Sequence, residues 1–125
     1  MTPIQDAVVI DDNDADQLMT QKVLRQHNPN IKIYQANHGL EALEVLSTLT
    51  TTPRIIFLDI YMPRMNGFEF LQEVSKTYHN KDLSIAMLTS SGRREDQIRC
   101  NQFCHVKLHL IKPLSEDSIH KVCAL

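Results

Sequence analysis

Short apolar runs recur along the chain and are separated by longer segments of helical periodicity. The runs at positions 7–10, 55–58 and 83–88 are continuous or nearly so, whereas those at 31–34 and 106–111 alternate apolar with polar residues. Continuous apolar runs are typical of strands buried on both faces of a parallel sheet. The alternating runs predict strands that lie nearer the edges of the same sheet.

Apolar residues at helical spacing lie between and after these runs. They predict five helices, over positions 16–27, 38–49, 66–78, 93–103 and 115–125. We expect the first helix to bury an apolar stripe formed by Leu18, Met19, Val23 and Leu24. The fourth helix carries a weaker stripe of Ile98 and Phe103, and Ser115 is the expected N-cap of the fifth.

Strands that alternate with helices in this way predict an α/β domain. Its core would be a doubly wound, five-stranded parallel sheet with helices on both faces. Ligands of such sheets bind beyond the carboxyl ends of the strands. The residues that directly follow each predicted strand are therefore the first candidates for a functional site.

Charged and hydroxyl side chains follow four of the predicted strands. Asp11 and Asp12 follow the first strand, Asp59 the third, Thr89 the fourth and Lys112 the fifth. Carboxylate oxygens are ligands that Mg²⁺ prefers, and Mg²⁺ commonly bridges one or two carboxylates to phosphate oxygens. An aspartate in such a site can act as a nucleophile toward a phosphoryl group and become an aspartyl phosphate.

The same residues lie in five sequence motifs, at 9–13 (VIDDN), 36–43 (ANHGLEAL), 57–67 (FLDIYMPRMNG), 88–91 (LTSS) and 112–113 (KP). In type, order and spacing, these motifs resemble the response regulator receiver domain of two-component signalling. The resemblance covers the whole chain, so it implies one receiver domain over residues 1–125. It also implies the strand order 2-1-3-4-5 of the family's chemotaxis member, CheY.

The resemblance implies a role for each matching residue in a phosphoacceptor site. Asp59 matches the phosphoacceptor, and Asp11 and Asp12 match the acidic pair that holds Mg²⁺ together with it. Tyr61 matches the position whose backbone carbonyl completes the metal shell. A Tyr61 side chain would also hinder the water that hydrolyses the acyl phosphate, so we expect at most slow autodephosphorylation and no enzymatic turnover.

Further matches imply a conformational switch. Thr89 matches the hydroxyl drawn toward the phosphoryl group, and Lys112 matches the lysine that pairs with acceptor and phosphate. The Lys112-Pro113 bond is cis in many relatives. His109 stands where relatives usually carry Tyr or Phe, at the position that couples the site to the surface of the fourth helix, fifth strand and fifth helix.

These roles predict a single-domain response regulator in a phosphorelay. A histidine kinase or a phosphotransfer protein would deliver the phosphoryl group, and the altered surface would change binding to a downstream protein target. Two alternatives stay open. One is a Mg²⁺-dependent phosphatase, which would need an acid at the position of Tyr61. The other is a receiver-like scaffold that works without phosphorylation; the match at all five site positions argues against it, but His109 keeps it open. Asp11 and Asp12 could also simply cap the first helix.

Composition narrows the choice of partners and compartment. Among 125 residues, 13 are basic and 15 acidic, which gives a charge of −2 and no basic surface for nucleic acid. No apolar run approaches the roughly 20 residues that span a membrane. Three cysteines in a chain of this length favour reduced thiols and a cytoplasmic protein, although Cys100 and Cys104 have a spacing that could hold a soft metal. We expect a monomer or a weak dimer without an output module.

Overall fold

The computed structural model describes residues 2–125 and consists of strands and helices in strict alternation. The five strands are β1 (Asp6–Ile10), β2 (Lys32–Ala36), β3 (Ile55–Leu58), β4 (Ile85–Thr89) and β5 (Val106–Ile111). The five helices are α1 (Asp14–His27), α2 (Gly39–Thr48), α3 (Gly67–Thr77), α4 (Arg94–Cys100) and α5 (Glu116–Cys123). The α/β class predicted from the sequence is confirmed.

The strands form one parallel sheet in the order β2-β1-β3-β4-β5, as the resemblance implied. The continuous apolar runs lie at the centre, and the alternating runs form the two edges. Ile10 lies opposite both Ala36 of β2 and Leu58 of β3. Because β1 and β3 end level with one another, Asp11 and Asp59 leave the sheet side by side.

The sheet buries an apolar layer on each face, because successive side chains of a strand point to opposite sides. Val8 and Ile10 pack in the layer that includes residues of α2 and α3, whereas Ala7 and Val9 pack in the layer that includes residues of α1 and α5. Burial of a large apolar side chain contributes roughly 1.5–3 kcal/mol. The two layers hold the strand ends, and hence the candidate site residues, in fixed positions.

The helix caps agree only in part with the sequence predictions. Ser115 caps α5, since its Oγ accepts the backbone N–H of Ser118 at 3.2 Å. The cap of α1 is Asn13, whose Oδ1 accepts the N–H of Asp16 at 2.9 Å. The interpretation of Asp11 and Asp12 as the caps of α1 is therefore wrong.

The predicted apolar stripe of α1 is also wrong in part. Leu18 and Met19 are 70% and 52% exposed. The buried positions of this helix are instead mostly polar, namely Gln17, Thr20, Gln21 and Leu24. Ile98 of α4, another predicted stripe residue, is likewise exposed.

Gln17 is buried because it connects the ends of two strands. Its side-chain Nε2 contacts three backbone carbonyl oxygens, those of Val9 at 3.0 Å, Asp11 at 3.1 Å and Ala36 at 3.0 Å. Gln21 donates to the Oε1 of Gln17 at 3.0 Å. The polar face of α1 thus binds the backbone at the carboxyl ends of β1 and β2. An apolar stripe has no hydrogen-bond donors for these carbonyl groups.

Candidate functional site

Three aspartates lie together at the carboxyl edge of the sheet and are called here the acidic cluster: Asp11, Asp12 and Asp59. One carboxylate oxygen from each lies within 4.8 Å of the others. Asp11 is buried, Asp59 is half-buried and Asp12 is exposed. The structure thus brings together the three carboxylates that the sequence predicted at this edge.

Lys112 reaches this cluster from the end of β5. Its Nζ forms ion pairs with Asp11 Oδ2 at 2.7 Å, Asp16 Oδ2 at 2.9 Å and Asp59 Oδ2 at 3.2 Å. Its backbone N–H donates to the carbonyl oxygen of Thr89 at 2.7 Å, which ties β5 to the end of β4. The ammonium group, with its three donors, therefore lies among three carboxylates.

Asp16 is the site residue that the sequence motifs did not reveal. It lies in the first turn of α1, where the N-terminus of the helix meets the carboxyl edge of the sheet. It follows Asp12 by four residues, and this spacing of acids at a helix start was the available signal. The charge near Lys112 therefore comes from four carboxylates rather than three.

Burial and charge change the acidity of both central groups. Burial raises the pKa of Asp59 above its ordinary value; the charge of Lys112 opposes this and that of Asp11 adds to it. Burial alone would lower the pKa of Lys112, but hydrogen bonds to Asp11 and Asp16 and attraction to Asp59 together raise it. Lys112 therefore stays charged at neutral pH.

The donor set of the acidic cluster fits a hard divalent cation. Three oxygen ligands from separate carboxylates, one of them exposed to solvent, match the few protein ligands and several waters that Mg²⁺ takes. Among residues 2–125, no other group of three or more His, Cys, Asp or Glu side chains comes within ligand reach of a common ion. Cys100 and Cys104, which were considered for a soft metal, belong to no such group within residues 2–125, and Cys100 is buried whereas Cys104 is exposed.

Two further predicted site residues hydrogen-bond away from the acidic cluster. The Oγ1 of Thr89 donates to the carbonyl oxygen of Ser91 at 2.7 Å. The hydroxyl of Tyr61 donates to Asp96 Oδ2 of α4 at 2.8 Å, across the loop that follows β3. The hydroxyl groups of both side chains are thus bound to partners other than the acidic cluster.

His109 is held at the surface of β5. Its Nε2 lies 2.6 Å from Asn101 Oδ1, an acceptor, so the ring nitrogen donates. Burial lowers the pKa of His109 below its ordinary value. A cavity of only about 10 Å³ is lined in part by Thr89, Ser91 and His109.

The loop between β3 and α3 shapes the backbone around Asp59. The N–H of Gly67 donates to the carbonyl oxygen of Ile60 at 2.7 Å. A Cβ at Gly67 would lie 2.6 Å from the carbonyl oxygen of Asp59, so no larger residue fits without a backbone shift. Arg64, in the same loop, has a φ of 66°. The Lys112-Pro113 bond is cis, as the resemblance implied.

No helix within residues 2–125 is long and apolar enough to cross a membrane. This finding agrees with the absence of a long apolar run in the sequence.

Comparison with known proteins identifies the family. The family model of the response regulator receiver domain matches residues 7–124 of this chain. The chain is 35% identical over 92 residues to the sensor histidine kinase CheAY of Helicobacter pylori, a match that spans 74% of this chain but only 11% of the kinase. It therefore corresponds to a small part of that protein, whose activity as a whole is not carried over.

Solved structures agree in fold with this assignment. A two-component response regulator from Cytophaga hutchinsonii superimposes with a TM-score of 0.89 at 23% identity, covering 98% of this chain and 96% of the other. The Mn²⁺-bound response regulator Rcp1 gives a TM-score of 0.75 at 25% identity, with 96% and 90% covered. The sheet order, the residues at its carboxyl edge and the family match over residues 7–124 lead to one conclusion: the chain belongs to the response regulator receiver domains of two-component signalling.

Proposed function

We propose that this receiver domain accepts a phosphoryl group on Asp59 from a phosphohistidine of a histidine kinase or phosphotransfer protein. The observation that carries the proposal is the contact of Lys112 Nζ with Asp59 Oδ2 at 3.2 Å inside the acidic cluster. It pairs a carboxylate nucleophile with a cation that can neutralise the oxygens of an incoming phosphoryl group.

The transfer exchanges one bond to phosphorus for another. An Oδ of Asp59 attacks the phosphorus, the P–N bond of the donor breaks, and its electron pair returns to the imidazole nitrogen. The carboxylate becomes an acyl phosphate, which carries a charge of roughly −2 by analogy with other phosphorylated side chains. An N–H of Lys112 then binds a phosphoryl oxygen in place of the carboxylate oxygen of Asp59.

The acidic cluster is the proposed Mg²⁺ site, with the backbone carbonyl of Tyr61 as a further ligand. A bound Mg²⁺ would reduce the repulsion between the carboxylates and a phosphoryl group. Rcp1, a response regulator of the same fold, is known in an Mn²⁺-bound form, which supports the binding of a divalent cation by this receiver domain.

Phosphorylation would alter the surface formed by α4, β5 and α5. The hydroxyl of Thr89 would leave the carbonyl of Ser91 and donate to the phosphoryl group, which would enlarge the small cavity in front of His109. Movement of His109 would then change the affinity for a downstream protein target. Tyr61, held by Asp96 beside the site, would limit access of water and keep autodephosphorylation slow.

The test is replacement of Asp59 by Asn, assayed for labelling by a radioactive small-molecule phosphodonor with Mg²⁺. We expect no label on Asp59→Asn and full label on the control Asp14→Asn, which removes an exposed aspartate of α1. Undiminished labelling of Asp59→Asn would refute the assignment. If the labelled wild type binds its targets no differently, the scaffold alternative gains support.

A further inference from the structure

We propose, on the basis of the phosphoacceptor function above, that Asp16 is a positioning residue for Lys112. By forming an ion pair with the Lys112 ammonium from α1, Asp16 draws that group away from Asp11 and Asp59. Lys112 then competes less with Mg²⁺ for these two carboxylates. Neither the sequence motifs nor the acidic cluster includes this residue.

The distances show that Asp16 binds the Lys112 ammonium alongside Asp11 and Asp59. Its Oδ2 lies 2.9 Å from Lys112 Nζ, which is shorter than the 3.2 Å to Asp59 and close to the 2.7 Å to Asp11. The backbone of Asp16 is fixed, because its N–H donates to the cap residue Asn13 at 2.9 Å. Asp16 therefore offers Lys112 a partner that does not depend on the acceptor loop.

Asp16 differs from the other two partners in what a metal would do to it. Asp11 and Asp59 belong to the acidic cluster, so a bound Mg²⁺ would take up their negative charge. Asp16 lies outside the cluster and keeps its full attraction for Lys112. The ammonium can then move toward Asp16 when the cation enters, without losing every charged partner.

Loss of the Asp16 charge would redirect the ammonium. A lysine has a flexible stem and three donors, so a freed N–H moves to the nearest remaining acceptors. Here those acceptors are Asp11 and Asp59. An ammonium group held more tightly between these two carboxylates opposes the binding of Mg²⁺. The charge of Asp16 also attracts Mg²⁺ directly, so the experiment must separate this contribution.

The experiment is a titration with MgCl₂ at constant ionic strength, followed by the amide NMR shifts of Asp12 and Asp59. We expect Asp16→Asn to raise the Kd for Mg²⁺ about three- to tenfold, which is a usual size for coupling between contacting charged residues. The control Asp14→Asn removes an equal charge from the same turn of α1 and should change the Kd less than about twofold. Asp16→Glu, which keeps the charge, should restore most of the affinity.

The same substitutions in a Lys112→Met variant show whether Asp16 acts on Mg²⁺ through Lys112. In Lys112→Met, where no ammonium competes, Asp16→Asn should affect the Kd no more than Asp14→Asn does. A full effect that persists in Lys112→Met would overturn the proposal, because Asp16 would then act on Mg²⁺ directly. Equal Kd values for Asp16→Asn and Asp14→Asn in the otherwise unchanged chain would overturn it as well. A wild type without saturable Mg²⁺ binding would refute the proposed metal site itself.

Discussion

Asp59 carries its charge in a place that disfavours charge. Because burial raises its pKa, the folded chain binds more protons than the unfolded chain between the ordinary value of 3.8 and the raised value. Without metal, stability should therefore fall as pH rises through this window. We predict that Asp59→Asn raises the free energy of unfolding at pH 7, measured by urea denaturation in EDTA. A less stable variant at pH 7 would contradict the prediction.

Gly67 shows how one missing side chain allows the site to form. We predict that Gly67→Ala lowers stability by roughly 1–3 kcal/mol, the usual cost of overpacking, because the new Cβ would meet the backbone of Asp59 and Ile60. Gly92→Ala is the matched control, since its nearest neighbour is the end of the flexible Ile111 side chain at 3.1 Å. Thermal unfolding of both variants tests the difference.

His109 should make stability depend on pH in the weakly acidic range. Burial lowers its pKa, so below its ordinary value of 6.5 the unfolded chain binds more protons than the folded chain. Stability should therefore fall as pH decreases below 6.5. Urea unfolding between pH 5 and 7 should show a shallower slope for His109→Phe than for the wild type. Parallel slopes would show that groups other than His109 cause the pH dependence.

At the scale of elements, α1 depends on an amide rather than an apolar stripe. Gln17→Leu would remove the donor shared by the carbonyls of Val9, Asp11 and Ala36. We predict a loss of about 1–3 kcal/mol, the cost of leaving buried acceptors unpaired. Gln26→Leu, an exposed position of the same helix, should change stability little. Urea denaturation measures both.

The sequence predicted the elements best where one physical signal dominated. The strand bounds 55–58 and 106–111 agree with β3 and β5, because short runs that are β-branched and apolar, or that alternate with polar residues, favour strands over helices. The stripe of α1 failed because periodicity assumes that the buried face is apolar. Gln17 is buried for its hydrogen bonds to distant backbone, and no local pattern reveals them.

The residues of the candidate site were likewise predicted where a local pattern marks them and missed where tertiary contacts decide. The acids that directly follow strands were found, because the topology of a parallel sheet brings such positions together. Asp16 was missed because its role depends on the angle at which α1 leaves β1. The orientations of the Thr89 and Tyr61 hydroxyl groups likewise depend on loop and helix geometry that the residue types do not specify.

At the scale of the whole molecule, the net charge of −2 conceals an uneven distribution. The repulsion in the acidic cluster predicts that Mg²⁺ stabilises the fold. At ten times its Kd, Mg²⁺ should add about 1.4 kcal/mol to the free energy of unfolding. Thermal unfolding with and without MgCl₂ measures this gain, and Asp12→Asn should reduce it. An equal gain in Asp12→Asn would place the cation elsewhere.

The contacts of α4 have a consequence for how a signal would travel. The helix has seven residues, Arg94–Cys100, and is therefore about 10 Å long. Tyr61 holds it near its start through Asp96, and His109 holds it at its end through Asn101. If one of these two hydrogen-bond partners moves, α4 would tilt, and if both move in the same direction, α4 would shift as a whole. Two different displacements near Asp59 could thus produce two distinct positions of one helix.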